Sequence, residues 1–210
     1  MRGLQQTILM QLGEQFREDT FNLYGFLNAH KHVLDTPSGA LEEFIKGKLL
    51  KGEIIHVIDA SKALTNFKHI SIELLNDLGT KLLGTNYKKR ALNFFTKALE
   101  LRPSDKRILL NYALAKRSIG AVEEALEILK KVTQENPNYV NGLNALSILL
   151  QNSGEIKEAK RIHKKILKLQ PNNITNLYNY SLLINEDEGR KVLGVIKSLD
   201  CAVNSKYQES

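Results

Sequence analysis

Between residues 72 and 105 the apolar residues Leu75, Leu78 and Leu82 recur at intervals of three and four, the spacing of one stripe along a helix. The stripe ends near Gly84. After a polar turn at Thr85 to Tyr87, a second stripe of Ala91, Leu92, Phe95, Ala98 and Leu99 runs to Pro103, which lacks the amide needed to carry a helix further. The pattern predicts a helical hairpin. Its second half, ALNFFTKALELRP from Ala91 to Pro103, returns as ALEILKKVTQENP from Ala125 to Pro137 and as AKRIHKKILKLQP from Ala159 to Pro171, each copy displaced by 34 residues. A fixed period in this range marks a repeat architecture.

Other columns keep the same phase. Leu41, Leu75, Leu109, Leu143 and Leu177 align, as do the small residues Gly79, Ala113, Ser147 and Ser181. Val57, Ala91, Ala125, Ala159 and Leu193 form another column. A fourth, Gly52, Asn86, Gly120 and Gly154, stands where a turn calls for left-handed backbone angles that Gly and Asn tolerate best. Small residues let paired helices approach and large apolar ones fill the space beside them. The predicted organisation is a helical hairpin at 1–37, a diverged repeat at 38–71, three clear repeats at 72–105, 106–139 and 140–173, partial capping helices at 174–201, and a tail at 202–210. In the diverged copy Ile45 takes the small-residue column and His69 the place of proline. The constant phase predicts one unbroken stack over 38–200, with atypical ends where one side meets water.

Leu75-x2-Leu78-Gly79-x2-Leu82, followed by Ala91-x3-Phe95 and Pro103, resembles the tetratricopeptide repeat, whose period is also 34 residues. The next copies offer Leu109, Tyr112, Ala113, Ala125, Leu129 and Pro137, then Leu143, Leu146, Ser147, Ala159, His163 and Pro171. The chain departs from the pattern in having no Trp, in Lys116 where an aromatic is usual, and in His163 where a large apolar residue is usual. The resemblance implies an all-α fold, an α-solenoid of stacked antiparallel helix pairs wound into a right-handed superhelix. It also implies a concave face, lined by the first helix of each pair, that receives an extended peptide or a helix of another protein.

On that frame the face holds Asn76 and Thr80; Leu110, Asn111, Leu114 and Arg117; Asn141, Asn144, Ile148 and Gln151; and Tyr178, Asn179, Leu182 and Asn185. Asn offers donors and an acceptor together, and so can hold a peptide backbone whatever its sequence. Leu110, Leu114, Ile148 and Leu182 are the expected apolar pockets. One subclass of the family grips a free carboxylate with a Lys, Asn and Arg clamp. The matching columns here hold Asn76, Thr80, Asn111, Asn141 and Ala145, which keep a single clamp member. Asparagine-lined grooves of the family are associated instead with extended polypeptides.

Composition changes this picture little. The chain of 210 residues is 42% hydrophobic and 25% charged, within the range of globular proteins. No run approaches a membrane-spanning length, and the single Cys201 cannot form an internal disulfide; both favour a cytoplasmic protein. The net charge of +7 is concentrated in residues 71–173, with 18 Lys and Arg against 10 Asp and Glu. Lys97, Lys130, Lys131, Lys164, Lys165 and Lys168 fall on the outer side of the second helices. That basic face could meet nucleic acid or an anionic membrane surface, a reading weighed below a solvated helix face because Phe94, Phe95 and Tyr112 lie in or beside core stripes.

No phosphate loop, nucleophile elbow or paired-cysteine motif is present, and the five histidines are scattered. Carboxylate groups at Glu42-Glu43, Glu123-Glu124 and Glu186-Asp187-Glu188 sit at expected helix starts or turns. The expectation is a non-enzymatic scaffold or adaptor with no cofactor and no metal, whose partner is another protein. The alternatives are a recruiting subunit of an enzyme complex, or a homo-oligomer formed through the hairpin at 1–37.

Overall fold

The computed structural model describes residues 70–184 and 189–198, and all regular structure among them is helical. The helices are α1 (Ile72–Leu83), α2 (Lys88–Leu101), α3 (Lys106–Ser118), α4 (Val122–Glu135), α5 (Val140–Asn152), α6 (Ile156–Leu169), α7 (Ile174–Ser181) and α8 (189–198). The hairpin at 1–37, nearly all of the diverged repeat at 38–71, the Glu186-Asp187-Glu188 turn, Cys201 and the tail lie outside the described residues.

The helices from α1 to α6 end for reasons written in the chain. Pro103, Pro137 and Pro171 follow α2, α4 and α6 at the same distance, and the residues before them, Arg102, Asn136 and Gln170, are extended, with φ between −128° and −141°. Clash with the proline ring disfavours the helical region for the preceding residue, so three unlike side chains take one conformation. The turns within pairs differ. Gly154 has φ +81°, its amide donates to the Gln151 carbonyl, and the Glu155 amide donates to the Leu150 carbonyl, which closes the end of α5. Gly120 has φ +90°.

Asn86 departs from the expected column, because no described residue other than glycine has positive φ. The α1–α2 turn is one residue longer than the others and is held by Thr85. Its hydroxyl donates to the Leu82 carbonyl at 2.7 Å and accepts from the Tyr87 amide at 3.1 Å, so no left-handed residue is required.

A further column at the helix starts has the same period: Ser71, Asp105, Tyr139 and Asn173 precede α1, α3, α5 and α7. Ser71, Asp105 and Asn173 each accept from an amide of the first turn. Burial works against the charged form of Asp105, but the Arg107 and Ile108 amides and the Arg107 guanidinium outweigh it and lower its pKa. Tyr139 makes no such cap. Its ring lies against Gly142, where a Cβ would come within 2.8 Å of it.

The chain divides into two compact units between Ile119 and Gly120, inside the 106–139 copy. The repeat columns keep phase across this point and do not mark it. A period measures spacing along the chain and does not record where compact units begin and end.

In the first unit α1 packs on α2, α2 on α3, and α1 on α3. Its core contains Leu74, Leu75, Leu78, Leu82, Phe94 and Phe95, all essentially inaccessible. Gly79 is small of necessity, since a Cβ there would stand 2.6 Å from the Phe95 ring. In the second unit α4 packs on α5, α5 on α6, and α6 on α7. Ala125, Leu129, Leu149, Leu150, Ala159 and Ile166 are closed to solvent there, together with Ser147, His163 and Asn176.

Candidate functional site

The residues expected on the first-helix face divide between the units. In the first, Asn76 on α1 and Asn111 on α3 are brought together, the Asn111 Nδ2 donating to Asn76 Oδ1 at 2.7 Å. Thr80 is exposed and turns its hydroxyl to the Asn76 carbonyl. Leu114 is half-buried and Arg117 exposed. Leu110, expected as an apolar pocket, is only 8% exposed and belongs to the interior.

The second unit carries Asn141, exposed at the start of α5, and Asn144, Ile148 and Gln151, all half-buried. The Asn144 Oδ1 is buried and has no hydrogen-bond partner. On α7, Tyr178 is 55% exposed and Leu182, at its end, 59%; with Ile174 they form an apolar stripe at intervals of four open to solvent. Asn179 is half-buried, and Asn185 lies outside the described residues.

The other candidate chemistry resolves into structure. Phe94 and Phe95 are interior; the Arg90 guanidinium lies 5.1 Å from the centre of the Tyr87 ring, and the Lys116 ammonium 5.4 Å from that of Tyr112. Of the outer lysines, Lys130, Lys131, Lys164 and Lys168 are exposed, while Lys97 and Lys165 are half-buried. Glu123 and Glu124 occupy the first turn of α4, where negative charge is favoured by the positive end of the helix dipole. Among the described residues no three His, Cys, Asp or Glu side chains converge as a metal site would require, and no helix is long and apolar enough to cross a membrane.

His163 is fully buried and is joined to Asn176 on α7. The Asn176 Nδ2 donates to the His163 carbonyl at 3.1 Å, which turns its Oδ1 to the ring, and the His163 Nδ1–H donates to that oxygen at 2.5 Å. The tilted Tyr180 ring stands beside it, 6.4 Å between centroids. Nε2 is left as a buried acceptor without a partner. Burial lowers the His163 pKa, the Asn176 bond opposing, so the ring is neutral at pH 7. His163 was legible as a departure from the repeat pattern; Asn176 carried no signal beyond a polar residue in the column of Leu74 and Ile108.

A tetratricopeptide-repeat family model matches residues 89–146 and again 117–180. Residues 89–180 are tetratricopeptide repeats. Solved structures of this kind share the fold of the chain. A crystal structure of MamA superposes with a TM-score of 0.63 at 18% identity, over 78% of this chain and 96% of that one. MamA from residue 41 onward of Desulfovibrio magneticus RS-1 gives 0.58 at 16% identity, over 78% and 96%. YrrB, described as a tetratricopeptide-repeat protein with an unusual peptide-binding site, gives 0.60 at 18%, over 82% and 87%. At these identities the likeness is one of fold. No curated protein sequence matches the chain. Within the repeat frame, Asn76, Asn111, Asn141 and Asn144 all stand on first helices and His163 and Ala159 on a second helix.

Proposed function

We propose that the protein is a non-catalytic interaction module that holds an extended segment, or a helix, of a partner protein along the first helices of its repeats. The observation that carries this reading is the bond between Asn76 and Asn111. It spends one acceptor and one donor, and leaves three N–H donors and one carbonyl on the face. That is the complement of a peptide backbone. The Asn144 oxygen adds an acceptor in the second unit, and Tyr178 and Leu182 add exposed apolar surface for side chains. The YrrB likeness supports the reading in that a protein of this fold binds peptide.

Selection of binders from a random peptide library, followed by amide hydrogen exchange of the complex, tests it. Protection is expected on α1 and α3, or on α5 and α7. Asn111→Ala combined with Asn144→Ala should weaken the selected peptides by about 1–3 kcal/mol. Undiminished binding by that variant, with protection confined to α2, α4 or α6, would assign function to the other side.

A further inference from the structure

A crevice of about 370 Å³ lies wholly within the second unit, between α4 and α6. Its floor is Leu143, Leu146 and Leu150 from α5 and Ile162 from α6, side chains that belong to the repeat core yet leave this space unfilled. On α5 these leucines point roughly 150° away from Asn141, Asn144, Ile148 and Gln151, taking about 100° per residue. The crevice is therefore separate from the face assigned above and does not depend on that assignment.

Its rim is cationic on both walls. Lys130 stands on α4, Arg161 and Lys165 on α6, and the only carboxylate at the rim, Glu158, is engaged by Arg161 through contacts of 2.6 and 2.9 Å. The Arg161 bond lowers the Glu158 pKa, with burial opposing and Lys130 adding a further attraction. Glu158 thus satisfies Arg161. Lys165 makes no hydrogen bond or ion pair among the described residues, and Lys130 touches Glu158 only through its field.

We infer that this crevice is a docking site for an acidic peptide segment of a partner protein, one large apolar side chain seated on the leucine floor and carboxylates on either side meeting Lys130 and Lys165. The space falls within the size of binding pockets and is far larger than a single methylene group needs. Cations on opposite walls, neither held in an ion pair by its own contacts, call for two separate anionic groups astride an apolar body. A fatty acid, with one head group at the end of its chain, answers only one wall. The exposed Gln134 side chain at the α4 wall gives the peptide main chain a further partner.

The probe is a fluorescein-labelled peptide with a central Leu-Phe pair flanked by Glu-Glu on each side, titrated into the full chain by anisotropy. Saturable binding that weakens as salt is raised is expected. Lys130→Glu with Lys165→Glu should weaken it by about tenfold or more. Gln134→Trp, an exposed position at the mouth, should weaken it by steric filling, with circular dichroism confirming that both variants keep their helix content. A control peptide with Lys for Glu, or Gly for Leu-Phe, should fail to bind. The proposal is overturned if the wild type shows no saturable binding, if both variants bind as the wild type does, or if sodium decanoate binds with the same lysine dependence while the peptide does not. Loss of binding in Asn76→Ala with Asn111→Ala would place the peptide on the first-helix face and equally overturn it.

Discussion

The α2–α3 junction of the first unit and the α6–α7 junction of the second occupy the same repeat columns and solve the same packing problem with opposite chemistry. Phe95 and Ile108, thirteen residues apart, are both buried and apolar. His163 and Asn176, at the same separation, are both buried and polar, and are joined twice. What these two junctions share is the burial of both positions. Polarity is free to change when the change is made on both sides of a junction, because a buried polar group left alone costs far more than a bonded pair. The small-residue column follows the same logic: Gly79 admits the whole Phe95 ring, while Ser147 spends its hydroxyl on the Asn144 carbonyl of its own helix.

The largest expected effect comes from emptying the apolar junction. Phe95→Ala should destabilise the first unit by about 3–5 kcal/mol through lost burial and a cavity, read by denaturant unfolding. In the polar junction the single change should be worse than the double. His163→Leu should cost about 1–3 kcal/mol because Asn176 Oδ1 is left buried without a donor, whereas His163→Leu with Asn176→Leu should return close to the wild-type value. A double variant no better than the single would show that the pair is not the source of the cost.

Overpacking distinguishes the units less. Ala159→Leu and Ala125→Leu, both at fully closed positions of the second unit, should each cost about 1–3 kcal/mol. Gly79→Ala sets a gain in helix propensity of about 1 kcal/mol against contact with Phe95, so a net loss is expected that shrinks when Phe95 is also replaced by Leu; a double-mutant cycle reads the coupling.

Acidity separates the junctions most finely. The His163 pKa is lowered on folding, so the unfolded chain binds its proton more readily, and the stability this supplies is present above the ordinary histidine value and lost as pH falls through the folded one. Amide exchange at pH 7.5 and 5.5 should show the second unit loosening on acidification relative to the first, and His163→Leu with Asn176→Leu should remove that difference.

The period, the pairing of helices and their ends were legible because they rest on local chemistry: Pro103, Pro137 and Pro171 force the residue before them out of the helix, and Gly120 and Gly154 supply positive φ. Asn86 was misread because a fourth turn residue and the Thr85 hydroxyl satisfy that turn by another route. The starts of the first helices were as periodic as their ends, but three different capping side chains and an uncapped Tyr139 conceal the column from a search for like residues. Of the candidate face, Asn76, Asn111, Asn141 and Asn144 stand on first helices, which the helical period alone assigns. The Asn76–Asn111 bond, the burial of Leu110 and the crevice behind α5 depend on how much space neighbours leave, which residue spacing does not record.

Asn176 lies one copy beyond His163, and this sets a condition on how such a chain can be lengthened. Duplicating 140–173 in tandem would bring a second Gly142, not an asparagine, thirteen residues after the first copy of His163. The imidazole would then be shut in with nothing to receive its proton. The smallest piece that can be copied without that penalty is a 34-residue segment offset from the helix pair, one that starts in α6 before His163 and ends in the next copy beyond Asn176.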